Sequence, residues 1–281
     1  NILSVGTGQA ADRYHAREFI KTVDYIHENL KGCGVVGGLS NLSFAFRGNN
    51  ILRAAFHHIF LEEAVPRGFN FAILNPKEKA PSWTEEEKEK YRKKMIEAGV
   101  DFSKPIVAFS IYSRVISKIY PIEKMKILVQ HLIDKYSAQI IFFYSADQKA
   151  EIQKIHKELG DNKNIFSSIE TPTIKDLVPF FENCDYYIGN EGGARHLAQG
   201  VGIPSFAIFN PSAELKEWLP FPSDKNMGIS PIDMLEKKGI SREEYDKLPF
   251  EEKFSLIDVE TLIEMSDKLI EKGIVKESYK E

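Results

Sequence analysis

Cysteine is scarce in this sequence, with only Cys33 and Cys184 among 281 residues. Two cysteines in separate strand-like contexts support neither a disulfide framework nor a metal site, so we expect no metal and a reducing, cytoplasmic location. Long apolar runs are also lacking: none approaches the roughly 18 residues that span a bilayer, which predicts no transmembrane segment. No signal peptide is recognisable in a chain that starts at Asn1 rather than at Met.

Neither sign of charge is in large excess. The 37 Lys and Arg residues nearly balance the 41 Asp and Glu residues, for a net charge of −4. Without a basic surplus we predict no nucleic-acid partner. The hydrophobic fraction of 43% and the charged fraction of 28% are typical of a soluble globular protein. A chain of this length can form one large or two ordinary domains, each with its own core.

The most informative stretch runs from residue 185 to residue 209. Residues 186–188 form a short apolar run typical of a buried strand, Gly192 and Gly193 interrupt it, and residues 194–201 have the composition of a short helix. A strand, a glycine turn and a helix N-terminus present free backbone N–H groups that bind phosphate. The same pattern also describes an ordinary tight turn in which the glycines serve only geometry, and the pattern alone leaves both interpretations open.

The turn carries a recognisable motif. Asn190-Glu-Gly-Gly-Ala-Arg-His196 resembles the signature of the heptosyltransferase-like glycosyltransferases (family 9, GT-B fold), which is roughly Asn-Asp-Ser-Gly-Pro-Met-His. Glu191 replaces the usual Asp and keeps a carboxylate. Gly192 replaces a Ser or Thr and so removes a hydroxyl that could contact phosphate. Arg195 is predicted to be a surface residue.

Two further segments resemble the same family and occur in the same order along the chain, over about residues 81–275. The segment 113–121, Ser-Arg-Val-Ile-Ser-Lys-Ile-Tyr-Pro, is similar to a loop in which a phosphate-binding Lys precedes an aromatic-Pro pair. The segment Trp218-Leu-Pro220 is similar to the Trp-x-Pro that follows the last core strand.

The resemblance implies a domain that binds a nucleoside-diphosphate sugar and a transfer of that sugar to a glycan or lipid-linked acceptor. It implies no cofactor, because a Lys, a helix N-terminus and backbone donors can stabilise a leaving diphosphate in place of a metal. Lys118 and the glycine turn are the candidates for phosphate, Glu191 for ribose or sugar hydroxyls, and His196 for a further phosphate contact. No catalytic base is identified. The predicted nucleotide-sugar-binding residues are Ser113, Arg114, Lys118, Asp147, Asn190, Glu191, Gly192, Gly193 and His196.

From Pro105 onward, short apolar strands alternate with helices. A strand as apolar as residues 140–144 belongs in a parallel sheet that is covered on both faces. We therefore predict an α/β domain, residues 79–281, with a Rossmann-like doubly wound parallel sheet that binds ligands at the carboxyl ends of its strands. The family resemblance implies that this domain is the C-terminal half of a GT-B fold. The amphipathic segment 259–270 is predicted to be a closing helix. Strands are predicted at residues 106–110, 139–144, 164–167, 186–189 and 205–209.

Residues 1–78 have a different character. A β-α-β-α-β pattern with strands near residues 1–5, 34–36 and 69–74 predicts parallel strands with helical crossovers. The segment 36–49 is close to the folate (pterin)-binding barrel domain of cobalamin-dependent methionine synthase, whose pattern is approximately Gly-Gly-Val-Ser-Asn-Val-Ser-Phe-x-Phe-Arg-Gly-Asn. This resemblance implies a partial (βα) barrel-derived segment in which Asn1, Asn41 and Arg47 are vestigial pterin-binding residues.

The sequence thus predicts two fragments of unrelated enzymes joined near residue 78. About three strands do not close an eight-stranded barrel, so we do not expect folate methyl transfer by this chain alone. Three functions stay open at this stage: a glycosyltransferase, a pterin- or methyltetrahydrofolate-binding remnant, and a recombined βα scaffold without catalytic activity.

Overall fold

The computed structural model describes residues 14–46, 48, 50–73, 85–160, 162–219 and 222–277. The chain divides into two compact units, residues 1–82 and residues 83–281. The predicted domain boundary, between residues 78 and 79, lies in the stretch 74–84 outside the described residues.

The first unit contains one parallel strand pair. Its two strands, β1 and β2, align Val35 with Phe69 and Gly38 with Ile73. The rings of Phe19, Phe60 and Phe69 pack with centroids 5.8–5.9 Å apart and join the two longer helices to β2. The strand predicted at residues 1–5 lies outside the described residues. The elements are α1 (His15–Asn29), β1 (Val35–Gly38), α2 (Leu39–Leu42), α3 (Asn50–Ala64) and β2 (Phe69–Ile73).

The second unit is built on a six-stranded sheet in which all strands are parallel. The predicted doubly wound α/β sheet is confirmed, and the five predicted strands agree with the structure to within two residues at each end. The strands are β3 (Ile106–Ser110), β4 (Gln139–Phe142), β5 (Ile165–Phe166), β6 (Tyr186–Asn190), β7 (Ser205–Ile208) and β8 (Asn226–Ile229). The helices are α4 (Glu85–Glu97), α5 (Ile122–Tyr136), α6 (Lys149–Glu158), α7 (Ile174–Phe181), α8 (Gly193–Gly200), α9 (Leu215–Trp218), α10 (Leu235–Lys238), α11 (Arg242–Lys247), α12 (Phe250–Ser255) and α13 (Val259–Glu277).

The order of the strands across this sheet is β5-β4-β3-β6-β7-β8. Starting from β3, the strands β4 and β5 are added on one side of the sheet, and β6, β7 and β8 are added on the other side. This is the strand order of dinucleotide-binding folds. The direction of winding reverses between β3 and β6, where Ser110 pairs with Gly189 at the carboxyl ends. Ligands of open α/β sheets bind in the crevice outside such a switch point.

The core of the second unit lies on both faces of β3 and β6, whose residues are all buried. The closing helix is confirmed and is longer than predicted, because α13 runs from Val259 to Glu277. Its residues Leu262, Leu269 and Ile270 are buried in the main apolar cluster. Within the part of the chain that the structure describes, no helix has both the length and the apolar character that a membrane span requires.

Candidate functional site

Three loops at the carboxyl edge of the sheet meet at one carboxylate, that of Glu191 immediately after β6. The Lys118 ammonium, from the loop after β3, lies 2.6 Å from Glu191 Oε1, with 32% of the Lys118 side chain and 9% of the Glu191 side chain exposed. Asn210, two residues after β7, donates from Nδ2 to the same oxygen at 2.9 Å. The structure therefore brings the predicted phosphate and hydroxyl ligands together. Asn210 was missed, although a polar residue directly after an apolar strand is a usable signal.

The side chain of Asn190 holds the Lys118 loop in place. Asn190 is fully buried. Its Nδ2 donates to the Ser110 carbonyl at 3.0 Å, and its Oδ1 accepts from the Tyr120 N–H at 2.9 Å. The amide thus satisfies one backbone group at each end of the loop that follows β3. In the structure the amide of Asn190 positions the loop that carries Lys118, and its predicted contact with the ligand stays a prediction.

Tyr120 anchors the far end of that loop to the C-terminal part of the unit. Its hydroxyl donates to the Ile257 carbonyl at 2.6 Å, and its ring packs edge-to-face with Phe254 at 5.7 Å. Burial, with the Asp258 and Glu260 carboxylates nearby, raises the pKa of the Tyr120 hydroxyl, so this donor keeps its proton. The segment between α12 and α13 therefore supports the site without contributing a side chain to it.

The glycine that the backbone requires is Gly189 rather than Gly192 or Gly193. Gly189 has a φ of +131°, and a Cβ built there would lie 2.4 Å from the Ser110 carbonyl oxygen on the neighbouring strand. Gly192 is extended, with φ 164°. A Cβ on either Gly192 or Gly193 would meet no atom within 4 Å. The space beside these two glycines is therefore open to a ligand.

Helix α8 begins in this open space. Gly192 occupies its N-cap position and, being glycine, supplies no side-chain acceptor for the first N–H groups. Apart from the Arg195 N–H, which donates to the Gly192 carbonyl at 3.1 Å, the N–H groups of the first turn have no acceptor within their own helix and carry the positive end of its dipole. Together with the ammonium of Lys118 they form an arrangement that favours an anion such as a diphosphate.

Arg195 is buried, and the prediction that it lies on the surface was wrong. Only 1% of the residue is exposed. Its Nη2 donates to the Trp218 carbonyl at 3.0 Å, its Nη1 donates to Gln199 Oε1 at 3.3 Å, and the guanidinium lies 5.7 Å from the centroid of the Phe209 ring. A charged residue commonly faces solvent. Here a helix-terminal carbonyl and an aromatic face accommodate the charge instead.

His196 is half-buried on the first turn of α8. Burial of the ring, together with the nearby charges of Arg195 and Lys118, holds the pKa of His196 well below its usual value. The imidazole is therefore neutral at physiological pH. It can donate or accept a hydrogen bond, but it does not bring a positive charge to an anion.

The depressed pKa of His196 predicts a pH dependence of stability. An unfolded histidine takes up a proton near pH 6.5, whereas the folded ring does not, so stability falls as pH drops below that value. The slope reaches about 1.4 kcal/mol per pH unit within this window. We expect the parent to lose roughly 1 kcal/mol more than His196→Gln between pH 6.5 and pH 5.5. Urea unfolding of both proteins at the two pH values measures the free energies of unfolding. Equal losses of stability in the parent and in His196→Gln would contradict a depressed pKa of His196.

Three other predicted residues lie on loops at the same edge of the sheet. Ser113 Oγ accepts from the Val115 N–H at 3.4 Å within the Lys118 loop. Asp147, after β4, accepts a 2.5 Å hydrogen bond from Ser145 Oγ. That hydrogen bond, with a smaller contribution from the charge of Arg114, lowers the pKa of Asp147. Arg114 and Asp147 are both exposed, and their roles as ligand contacts stay predictions.

The predicted pterin residues fall in the first unit. Asn41 is half-buried in α2, which directly follows β1. Asn1 and Arg47 lie outside the described residues, as does Pro220 of the Trp-x-Pro segment. Among the residues described here, no group of three or more His, Cys, Asp or Glu side chains is arranged to hold a metal ion.

The chain is similar to known proteins in sequence and in fold. The family model described as Glycosyltransferase family 9 (heptosyltransferase) matches residues 56–243. This match begins inside α3 and is therefore not confined to the second unit. The fold is similar to that of E. coli ADP-heptose LPS heptosyltransferase II, with a TM-score of 0.51, 14% identity and coverage of 92% of this chain and 81% of that one. It is also similar to a family 9 glycosyltransferase from Veillonella parvula DSM 2008, with a TM-score of 0.54, 14% identity and coverage of 92% and 80%.

Proposed function

The chain belongs to glycosyltransferase family 9, and from that membership we propose that its second unit binds a nucleoside-diphosphate sugar for transfer to an acceptor. The observation that carries the proposal is the meeting of Lys118, Glu191 and Asn210 at the switch point of the sheet, beside the open N-terminus of α8. A cation, a helix dipole and a hydroxyl acceptor are the groups that such a ligand needs. For the acceptor we propose a glycan or a lipid-linked saccharide, as the family resemblance implies.

The charges of the site divide between the two ends of the ligand. As the bond from the sugar to the diphosphate breaks, negative charge accumulates on the leaving diphosphate, where Lys118 and the first N–H groups of α8 stabilise it. Lys118 pairs with Glu191 in the ligand-free site. Phosphate binding therefore draws the ammonium away from Glu191 or shares it. The carboxylate is then available to accept hydrogen bonds from hydroxyls of the ribose or the sugar.

Calorimetric titration tests the proposal directly. ADP and ADP-sugars come first, because a protein of similar fold is named for ADP-heptose. UDP, GDP and their sugars follow, since the base specificity depends on contacts that these residues do not determine. We expect at least one of these nucleotides to bind at submillimolar concentration. Absence of binding to all of them at millimolar concentration would overturn the proposal.

The assignment of Glu191 to hydroxyls makes a separate prediction. Glu191→Gln keeps a hydrogen-bond acceptor but removes the charge. We therefore expect it to weaken binding of a sugar nucleotide by about 10-fold, which is the low end of the range for a hydrogen bond to a charged group. Inorganic diphosphate should bind unchanged or more tightly, because the ammonium of Lys118 loses its competing partner. Titration of both ligands into the variant decides this. Equal weakening of both would show instead that the carboxylate acts by positioning the Lys118 ammonium for the diphosphate.

A pterin-binding role for the first unit stays a second prediction. It draws on the position of Asn41 in the helix that follows β1, at the carboxyl end of a parallel strand. If it is correct, methyltetrahydrofolate raises the melting temperature and Asn41→Ala abolishes the shift. No shift with the parent would reject the pterin-binding prediction and leave the glycosyltransferase and the scaffold without catalytic activity, and Asn41→Ala should not change nucleotide affinity in either case.

A further inference from the structure

Arg195 and His196 are consecutive residues of α8 whose side chains bond to each other. The guanidinium Nη2 of Arg195 lies 3.1 Å from His196 Nδ1. A guanidinium only donates hydrogen bonds, so Nδ1 is the acceptor and carries no proton. A neutral imidazole with an unprotonated Nδ1 holds its proton on Nε2. The contact therefore selects one of the two neutral tautomers of His196.

The position of the guanidinium is fixed by contacts on several sides. Besides His196, it bonds to the Gln199 side chain and to the Trp218 carbonyl, and it lies near the Phe209 ring. Among the described residues no ion pair includes Arg195, and its Nε has no hydrogen-bond partner there. The hydrogen bonds of this guanidinium among the described residues therefore go to neutral acceptors, of which Nδ1 of His196 belongs to the candidate site, while the Glu191 carboxylate acts on it only through space.

The charges around His196 favour the same state. The two charged groups that act on the ring most strongly are Arg195, from its own helix, and Lys118, from the loop after β3; both are cations. Glu191, the nearby carboxylate after β6, is already bonded to Lys118 and to Asn210. Protonation of Nδ1 would turn the bond from Arg195 into a contact between two cations.

We propose that Arg195 is a positioning residue that holds His196 as the neutral Nε2–H tautomer, so that the ring offers a hydrogen-bond donor and does not act as an acid or base. In the proposed function, the group that accepts the hydrogen bond from Nε2–H is a diphosphate oxygen of the sugar nucleotide. This assignment of the ligand rests on that function. The family pattern has Met at the position of Arg195. Arg195→Met is therefore a substitution that the fold is expected to tolerate.

Nitrogen-15 spectra of the histidine-labelled protein test the proposal without any nucleotide. The His196 signals are identified by their loss in His196→Gln. Between about pH 5.5 and pH 8 we expect an unprotonated Nδ1 and a protonated Nε2 that do not change, in contrast to an ordinary histidine, which titrates near pH 6.5. A parent His196 that titrates in this range, or that carries its proton on Nδ1, would overturn the proposal whether or not any variant folds.

Two variants separate the role of Arg195 from simple support of the helix. In Arg195→Met we expect His196 to populate both tautomers and to titrate closer to its ordinary pKa. In Gln199→Ala, which removes another partner of the guanidinium on the same helix, we expect the tautomer to stay unchanged. An unchanged His196 spectrum in Arg195→Met would contradict the proposal.

The link to nucleotide binding is measured separately. If Nε2–H contacts diphosphate, Arg195→Met should weaken binding of inorganic diphosphate by about 3- to 10-fold near pH 8, where the imidazole is neutral in both proteins, as expected for one neutral hydrogen bond that is no longer preorganised. A fixed tautomer in a parent that binds no nucleotide would support the role of Arg195 and reject the proposed function. If the parent binds nucleotide but its His196 titrates, the role of Arg195 is rejected and the proposed function is supported.

Discussion

Gly189→Ala is expected to lower the free energy of unfolding of the second unit by about 3–4 kcal/mol. The added Cβ would lie 2.4 Å from the Ser110 carbonyl oxygen, at a residue whose φ is +131°. Both the close approach and the backbone conformation oppose a side chain. The atoms in the way belong to the backbone of β3, so they cannot move aside as a flexible side chain would. Urea unfolding followed by circular dichroism measures the loss.

Gly192→Ala is the matched control for this prediction, because it lies three residues away in the same segment. Its φ is 164° and its Cβ would meet no atom within 4 Å, so we expect a loss of no more than about 1 kcal/mol, from the poorer N-cap that Ala makes. Equal losses in the two variants would show that the two strands do not approach each other at Ser110 and Gly189 as described.

Lys118→Ala should weaken binding of a nucleoside diphosphate by roughly 10- to 150-fold. The variant removes a charge-assisted contact worth about 1.5–3 kcal/mol, and calorimetric titration gives the ratio of dissociation constants. Arg114→Ala, which removes the exposed cation of the same loop, should have a smaller effect. If Lys118→Ala binds nucleotide as well as the parent does, the phosphate assignment is wrong.

Loss of Lys118 also leaves the buried carboxylate of Glu191 with Asn210 as its remaining side-chain partner among the described residues, so we expect lower stability as well as lower affinity. The double variant Lys118→Ala/Glu191→Gln separates these effects. It removes the unpaired charge, so we expect its melting temperature to recover toward that of the parent. Its affinity for inorganic diphosphate should stay low, because no ammonium replaces Lys118.

Much of the second unit could be predicted because its strands are short, apolar and separated by clear helices. β8 was missed, because Asn226-Met-Gly-Ile229 mixes a polar residue and a glycine into only four positions. Lys118 and Glu191 were predicted to serve one site because the loops after parallel strands gather at one edge of the sheet. Their direct ion pair was not predicted, since it depends on how the loop after β3 folds back.

The remaining differences concern polar residues that face inward. Asn190 has a motif position typical of a ligand contact, yet its amide is bonded to the backbone of Ser110 and Tyr120. Arg195 was assigned to the surface, yet it is buried beside Phe209. A sequence pattern gives the residue type at such a position. It does not show whether the nearest partner is solvent, a ligand or a main-chain carbonyl.

The two anchors of the Lys118 loop also set an order of events during protein synthesis. The first anchor, Asn190, follows Tyr120 by 70 residues, and the second, the Ile257 carbonyl, follows it by 137. Because the chain emerges from the ribosome N-terminus first, the strand that precedes this loop is made long before either anchor exists. A nascent chain that stops before residue 257 would have the sheet and the glycine turn but not the final hydrogen bond from Tyr120. The loop that carries Lys118 is thus among the last parts of the unit to reach its final geometry.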